Sequence, residues 1–239
     1  MQKRSTLSEN DPLIVALDLE SKSAAAELVA ALGEEITFYK VGMELYAAAG
    51  MEFVRELIAG GKKVFLDMKF YDIPETVKRA VAQVAKSGVS LLTVHGSNAV
   101  MRAAVEGRGD SELKLLAVTV LTSFDESDLK DMGYNVSVSD LVTLRVHNAM
   151  RWGMDGLVAS PLEARRIRTQ VGPDALIVTP GVRSQGSAVG DQKRVATPAQ
   201  AMGDGASYLV IGRQVTRAQD PAAAVREIRE ELCAARRGA

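Results

Sequence analysis

The stretch LDMKFYDIPET, residues 66–76, sets Asp67, Lys69 and Asp72 within six positions, directly after the apolar run Val64-Phe65-Leu66. Residues two apart on an extended strand share one face, so Asp67 and Lys69 point the same way. Two more charged residues occupy similar places: Asp18 follows the run LIVAL and Lys40 sits within FYKVG. Lysines and aspartates alternating in a partly dry cavity mouth would hold one another as a fixed charged array. The competing reading is structural. An ion-pair network would use the same residues, and Asp72, two positions before Pro74, has the spacing of a helix cap.

A second set of residues points to phosphate. The segment PGVRSQGSAVGDQKR, residues 180–194, is long, polar and glycine-bearing, as the lids of compact barrels often are. VIGRQVT then places Gly212 and Arg213 at the end of another apolar run. A barrel commonly holds a phosphate there with backbone N–H groups and a short helix, and arginine adds a planar fork suited to it. His95 ends the run LLTVH and fits a supporting place, His147 falls in a helical pattern, and Trp152 and the methionines read as core. Phe70 and Tyr71 border the charged stretch with no role assigned by their position.

These side chains need a scaffold that brings distant segments to one mouth. Runs rich in Val, Ile and Leu, without polar alternation, predict parallel strands buried on both faces over residues 13–19, 38–43, 64–69, 91–95, 115–121, 156–159, 177–179 and 208–211. Between them lie helical patterns such as SKSAAAELVAALG and PETVKRAVAQVAKSG, several starting at Ser, Asp or Pro and stopping at Gly. Eight strands alternating with about eight helices predict a single-domain (β/α)8 TIM barrel of the α/β class. An open doubly wound sheet is disfavoured, because Leu17-Asp18-Leu19-Glu20 lacks the glycine-rich turn expected after its first strand. The barrel is expected over residues 12–239, after a flexible N-terminal tail of residues 1–11. Function in such a barrel lies at the C-terminal ends of the strands, which is where Asp18, Lys40, Asp67, Lys69, His95, Thr122, Ser123, Gly212 and Arg213 fall.

The bulk properties agree. The chain has 239 residues, 47% hydrophobic and 25% charged, with a net charge of −1, so a polyanion partner such as nucleic acid is not indicated. One cysteine, Cys233, allows neither a disulfide framework nor a Cys/His metal cluster. The polar N-terminus lacks a signal-peptide core, and no apolar run reaches the roughly 20 residues of a membrane span. A cytoplasmic protein without a membrane partner is expected.

LDMKFYDIPETV resembles the Asp-x-Lys-x-x-Asp-Ile-Pro-x-Thr signature of the orotidine 5′-monophosphate decarboxylase family, in its bacterial branch. LIVALD, FYKVGMELY, AVTVLTS, TPGVR…GDQKRVATPAQA and YLVIGR resemble the family's first, second, fifth, seventh and eighth strands. The resemblance implies a barrel without cofactor or metal, acting as a homodimer, that converts orotidine 5′-monophosphate to UMP and CO2 in pyrimidine biosynthesis. It implies Lys69 as the acid that protonates C6 and Asp67 beside the departing carboxylate. Asp72 would come from the partner subunit, and Ile73 and Thr76 of the same signature would contact the substrate. Lys40 would contact the ribose and hold the aspartates, and Asp18 would bind a ribose hydroxyl. Thr122 and Ser123 would lie at the pyrimidine, and Arg183, Gln192, Gly212 and Arg213 would hold the phosphate. Two alternatives stay open: a 3-keto-hexulose-phosphate decarboxylase of the same superfamily, which uses Mg2+, and a catalytically silent nucleotide-binding protein.

Overall fold

The computed structural model describes residues 11–184 and 196–238. Its centre is a closed, all-parallel barrel whose strands follow one another in chain order. They are β1 (Leu13–Ala16), β2 (Phe38–Gly42), β3 (Lys63–Phe70), β4 (Leu91–His95), β5 (Lys114–Val118), β6 (Gly156–Val158), β7 (Leu176–Thr179) and β8 (Tyr208–Ile211). β8 returns to β1 through Leu13↔Leu209 and Val15↔Ile211, which closes the ring. The connecting helices are α1 (Lys22–Leu32), α2 (Met43–Ala59), α3 (Pro74–Ala85), α4 (Asn98–Arg108), α5 (Glu126–Asp131), α6 (Val138–Arg151), α7 (Ala164–Val171), α8 (Pro198–Gly203), α9 (Arg213–Thr216) and α10 (Pro221–Gly238). The count exceeds the expected eight because the connections after β5 and β8 each carry two helices.

Local chemistry sets the helix ends. Ser21 accepts the Ala24 N–H at 3.2 Å to start α1, and Gly33 takes a positive φ of 51° to end it. Pro74 opens α3, where a missing N–H costs nothing. The cap residue of α3 is Ile73, however, with no side-chain cap bond, and the Asp72 carboxylate accepts only the neighbouring Ile73 N–H, at 2.6 Å. Asp72 stands one residue too early to serve the helix, so the capping reading of its spacing does not hold. Of residues 1–11 only Asp11 is described, and it is tied down: its carboxylate takes the Leu13 N–H and an ion pair with Arg229 of α10 at 2.6 Å.

Two apolar layers result. Side chains on the outer strand faces pack under the helices, Val15, Val41, Val64, Leu66, Leu92 and Leu115 among them. Inside the barrel, Ile14, Ala16, Phe38, Phe65, Leu91, Leu116, Val178 and Val210 fill the lower floor. The period of two then decides what lies above: Ala16 leads to Asp18, Phe38 to Lys40, Phe65 to Asp67 and Leu91 to Thr93. Each of these four inward-facing columns begins apolar and ends polar. No helix among the described residues is long and apolar enough to cross a membrane.

Two packing details bear on stability. A Cβ at Gly107 of α4 would lie 2.2 Å from the Lys78 carbonyl oxygen of α3, so these helices touch backbone to backbone. At the end of β4, His95 is partly buried, stacks on Tyr71 with ring centroids 4.4 Å apart, and leaves its Nδ1 without a hydrogen-bond partner among the described residues. Burial first, and the Arg145 guanidinium second, hold its pKa below the usual value.

Alanine for glycine inside a helix ordinarily gains up to about 1 kcal/mol. At Gly107 the overlap costs about 1–3 kcal/mol instead. Gly107→Ala is therefore expected to lower the Tm, while Gly203→Ala in α8, with nothing within 4 Å of its Cβ position, does not. Thermal melts of the two variants check this. His95 supplies a pH dependence. The unfolded chain takes up its proton at about pH 6.5 and the folded chain only at lower pH, so stability falls as pH drops below about 6.5 until the folded group also protonates. His95→Phe keeps the stacking ring and removes the titration. Its Tm is expected to decline less steeply than the native Tm over that window, and equal slopes would count against this reading.

Candidate active site

The polar ends of the strands open into a cavity of about 710 Å3, lined by Asp18, Lys40, Asp67, Lys69, Thr122, Ser123, Arg183, Gly212 and Arg213 among others. Nine of the expected site residues thus share one hollow. On one side of it lies the charged array. Lys40 Nζ lies 2.7 Å from Asp18 Oδ1 and 3.8 Å from Asp67 Oδ2, and Lys69 Nζ lies 2.9 Å from the same Asp67 oxygen. The order Asp18–Lys40–Asp67–Lys69 alternates in sign across β1, β2 and β3. The inner members are the sheltered ones: side-chain exposure is 11% for Lys40 and 14% for Asp67, against 55% for Asp18. Gly42 makes room for this arrangement, since a Cβ there would lie 3.0 Å from Lys40 Nζ and 3.1 Å from Asp18 Oδ1.

The strand geometry that aims Lys69 is irregular. Leu66 pairs with Leu92 and Phe70 with Val94, so Asp67, Met68 and Lys69 of β3 face the single residue Thr93 of β4. Lys69 takes a φ of 49°, the one non-glycine residue with positive φ among those described. Such a conformation costs on the order of 1–3 kcal/mol and persists only where the surroundings impose it. Here the Lys69 N–H donates to Thr93 Oγ1 at 2.9 Å, and the same hydroxyl donates to Asp67 Oδ1 at 2.9 Å. Thr93 was not expected at the site. Its signal in the sequence was a hydroxyl residue at an inward position of an otherwise apolar strand.

Next round the rim, where β8 closes on β1, stand Arg183, after β7, and Gly212-Arg213, after β8. Burial first, and then the neighbouring Arg213 charge, depress the Arg183 pKa. Two guanidiniums close enough to feel each other form a region that favours an anion. Gly212 leads into the short helix α9, as the strand-end pattern predicted. The start of the β7–α8 connection is anchored: Ser184 N–H donates to Gln214 Oε1 at 3.1 Å, and Ser184 Oγ donates to Glu231 Oε2 at 2.7 Å. A bridge between Val182 and Ala196 draws the two ends of the connection together. Gln192 lies outside the described residues.

Three expected residues are not at this cavity. Asp72, Ile73 and Thr76 are exposed on the outer surface of the same chain, Ile73 at 70% and the adjoining Tyr71 at 67%. Asp72 instead lines a smaller cleft of about 400 Å3 with Tyr71, Pro74, Ser97, Ala99 and Val100. Among the described residues no group of three or more His, Cys, Asp or Glu side chains converges as a metal site. The two carboxylates of the array, Asp18 and Asp67, are each bound to Lys40 instead.

Comparison with known proteins bears on this arrangement. Residues 11–228 match the orotidine 5′-phosphate decarboxylase / HUMPS family. The chain is 52% identical over 227 residues to an orotidine 5′-phosphate decarboxylase of Nitrobacter winogradskyi, covering 95% of each chain. It is 51% identical over 225 residues to one from Bradyrhizobium sp., covering 94% of this chain and 93% of that one. Among solved structures, the orotidine 5′-phosphate decarboxylase from Lactobacillus acidophilus superposes with a TM-score of 0.82 at 36% identity, over 92% of this chain and 98% of that one. With a cavity built from these strand ends and a family match over nearly its whole length, the chain belongs to the orotidine 5′-phosphate decarboxylase / HUMPS family.

Proposed function

We propose that this protein is a decarboxylase that converts orotidine 5′-monophosphate to UMP and CO2, and that Lys69 protonates the carbon left behind. The observation that carries the reading is the placement of the Lys69 ammonium, 2.9 Å from Asp67 and on the wall of the cavity that also holds Arg183 and Arg213. The names of relatives at about half identity support the substrate.

The chemistry fits the residues. The phosphate binds against Arg183, Gly212 and Arg213, the ribose hydroxyls against Asp18 and Lys40, and the pyrimidine against Thr122 and Ser123. The C6–carboxylate bond then breaks, CO2 leaves, and the electron pair stays on C6. The ring delocalises that pair poorly, so a cation fixed beside C6 must stabilise it, and Lys69 does so before transferring its proton to C6. Solvent reprotonates Lys69 after product leaves. Asp67 lies beside the substrate carboxylate and repels it. At ~4 Å and an effective dielectric of about 20, that repulsion is on the order of 4 kcal/mol. Enzymes generally supply about 8–23 kcal/mol, so repulsion alone does not carry the rate. The remainder is assigned to the preorganised Lys69 charge and to phosphate binding far from the breaking bond.

The expected assay is ultraviolet loss of orotidine 5′-monophosphate, with and without a chelator. Turnover that persists under chelation supports the reading, and a strict Mg2+ requirement would favour the hexulose-phosphate alternative. Lys69→Ala is expected to abolish turnover while UMP binding stays near native, because Lys69 serves the transition state and the phosphate contacts serve affinity. Near-native turnover by that variant would sink the assignment.

A homodimer with a shared site is part of the proposal. Asp72 stands on the outer surface beside exposed Tyr71 and Ile73, a combination suited to a surface that a second copy covers. In a two-fold dimer each Asp72 then enters the other chain's cavity. Mixing inactive Lys69→Ala with inactive Asp72→Asn tests it. In a mixed dimer one site receives both native residues and the other receives neither. Random assortment makes half the dimers mixed, so about a quarter of all sites should recover. No recovery, with mixed dimers shown to form, would refute the sharing.

A further inference from the structure

We infer that Thr93 is a positioning residue for the reaction: its side-chain hydroxyl sets the placement of the Lys69 ammonium relative to the Asp67 carboxylate. The inference rests on the decarboxylase reading above. Thr93 is fully buried, and its hydroxyl is engaged twice, accepting the Lys69 N–H at 2.9 Å and donating to Asp67 Oδ1 at 2.9 Å. A hydroxyl carries one hydrogen, so its direction is fixed: the backbone of β3 gives and the carboxylate receives.

The position explains why one side chain has this leverage. Where β3 bulges, Thr93 alone faces Asp67, Met68 and Lys69. A regular ladder would satisfy the Lys69 N–H with a backbone carbonyl of β4. Here the threonine hydroxyl replaces that carbonyl and accepts the N–H of the residue held at a φ of 49°. The second bond turns the Asp67 carboxylate so that its other oxygen, Oδ2, faces Lys69 Nζ at 2.9 Å and Lys40 Nζ at 3.8 Å. Thr93 therefore couples a backbone conformation to a carboxylate rotamer. Its branched Cβ restricts the hydroxyl to few orientations, which makes it a stiff link. Thr93 is absent from the cavity lining, so it acts on the substrate through Asp67 and Lys69 alone.

The test compares Thr93→Val, which keeps the shape and removes the hydroxyl, with Thr93→Ser, which keeps the hydroxyl. Each is measured for kcat and KM with orotidine 5′-monophosphate, with kcat expressed per UMP-binding site so that unfolded protein drops out. Thr93→Val is expected to lose ~10- to 100-fold in kcat, the scale of a small misplacement of a reacting group. Its KM is expected to stay within about threefold of native, because the phosphate contacts are untouched. Thr93→Ser is expected to recover most of the lost kcat. Should the valine protein not fold, Thr93→Ala is read in the same assay with the same expectation. The inference is overturned if the hydroxyl-free variants keep native kcat, if only KM rises, or if the serine variant is as poor as the valine one. Failure of the native protein to turn over this substrate would be a different result, striking the decarboxylase reading itself.

Discussion

The Asp67 carboxylate is the group on which the site depends. It accepts from Lys69 and Thr93 and lies within ion-pair distance of Lys40, all while largely sheltered from solvent. A buried carboxylate without partners would cost several kcal/mol, and so would either lysine left beside an apolar barrel floor. Each charge is therefore tolerable only because its neighbours on adjacent strands carry the opposite sign. The closed strand order supplies that alternation directly: Asp18 on the way out of β1, Lys40 on β2, Asp67 and Lys69 on β3, with the Thr93 hydroxyl on β4. Removing one member exposes the rest to an uncompensated charge, which makes the array a unit in stability as well as in chemistry.

The ends of β7 and β8 are built on a different principle. Arg183 and Arg213 bring like charges together, a local cost that an anion relieves. The lysines and aspartates alternate in sign, whereas the two guanidiniums set like charges near each other. On the proposed reading, a substrate that spans both groups would be oriented by the arginines and acted on beside Lys69. Binding energy collected far from the reacting carbon would then help to hold that carbon against Lys69.

Much of this was legible in the sequence, because buried parallel strands read as continuous Val, Ile and Leu runs and because inward columns ending in charge are rare outside barrel mouths. The errors cluster where the chain leaves the sheet. β1 stops at Ala16 and β5 at Val118, short of the apolar residues that follow, although Leu17 and Val120 are still buried and the Leu17 N–H still donates to the Lys40 carbonyl at 2.9 Å. Asp72 had the spacing of a cap, yet the helix starts from Ile73, because Pro74 itself supplies the start. Thr93 escaped notice since a threonine in a strand is ordinary by propensity. Only the bulge in β3, a tertiary feature with no local sequence code, gives its hydroxyl two partners. The methionines split: Met101 and Met154 are core, while Met43 and Met132 are more than half exposed.

The pairing of Leu13 with Leu209 carries a consequence for how the molecule comes into being. The acidic and basic members of the array lie in the first third of the chain, whereas Gly212 and Arg213 arrive with the last strand. On a ribosome the early strands emerge as an open, curling sheet whose edge waits for β8, and such long-range closure is slow because loop entropy is spent before the contact forms. The hollow is complete only when the newest strand docks beside the oldest. A nucleotide that touches both ends of the chain would therefore act as a clasp on the finished ring.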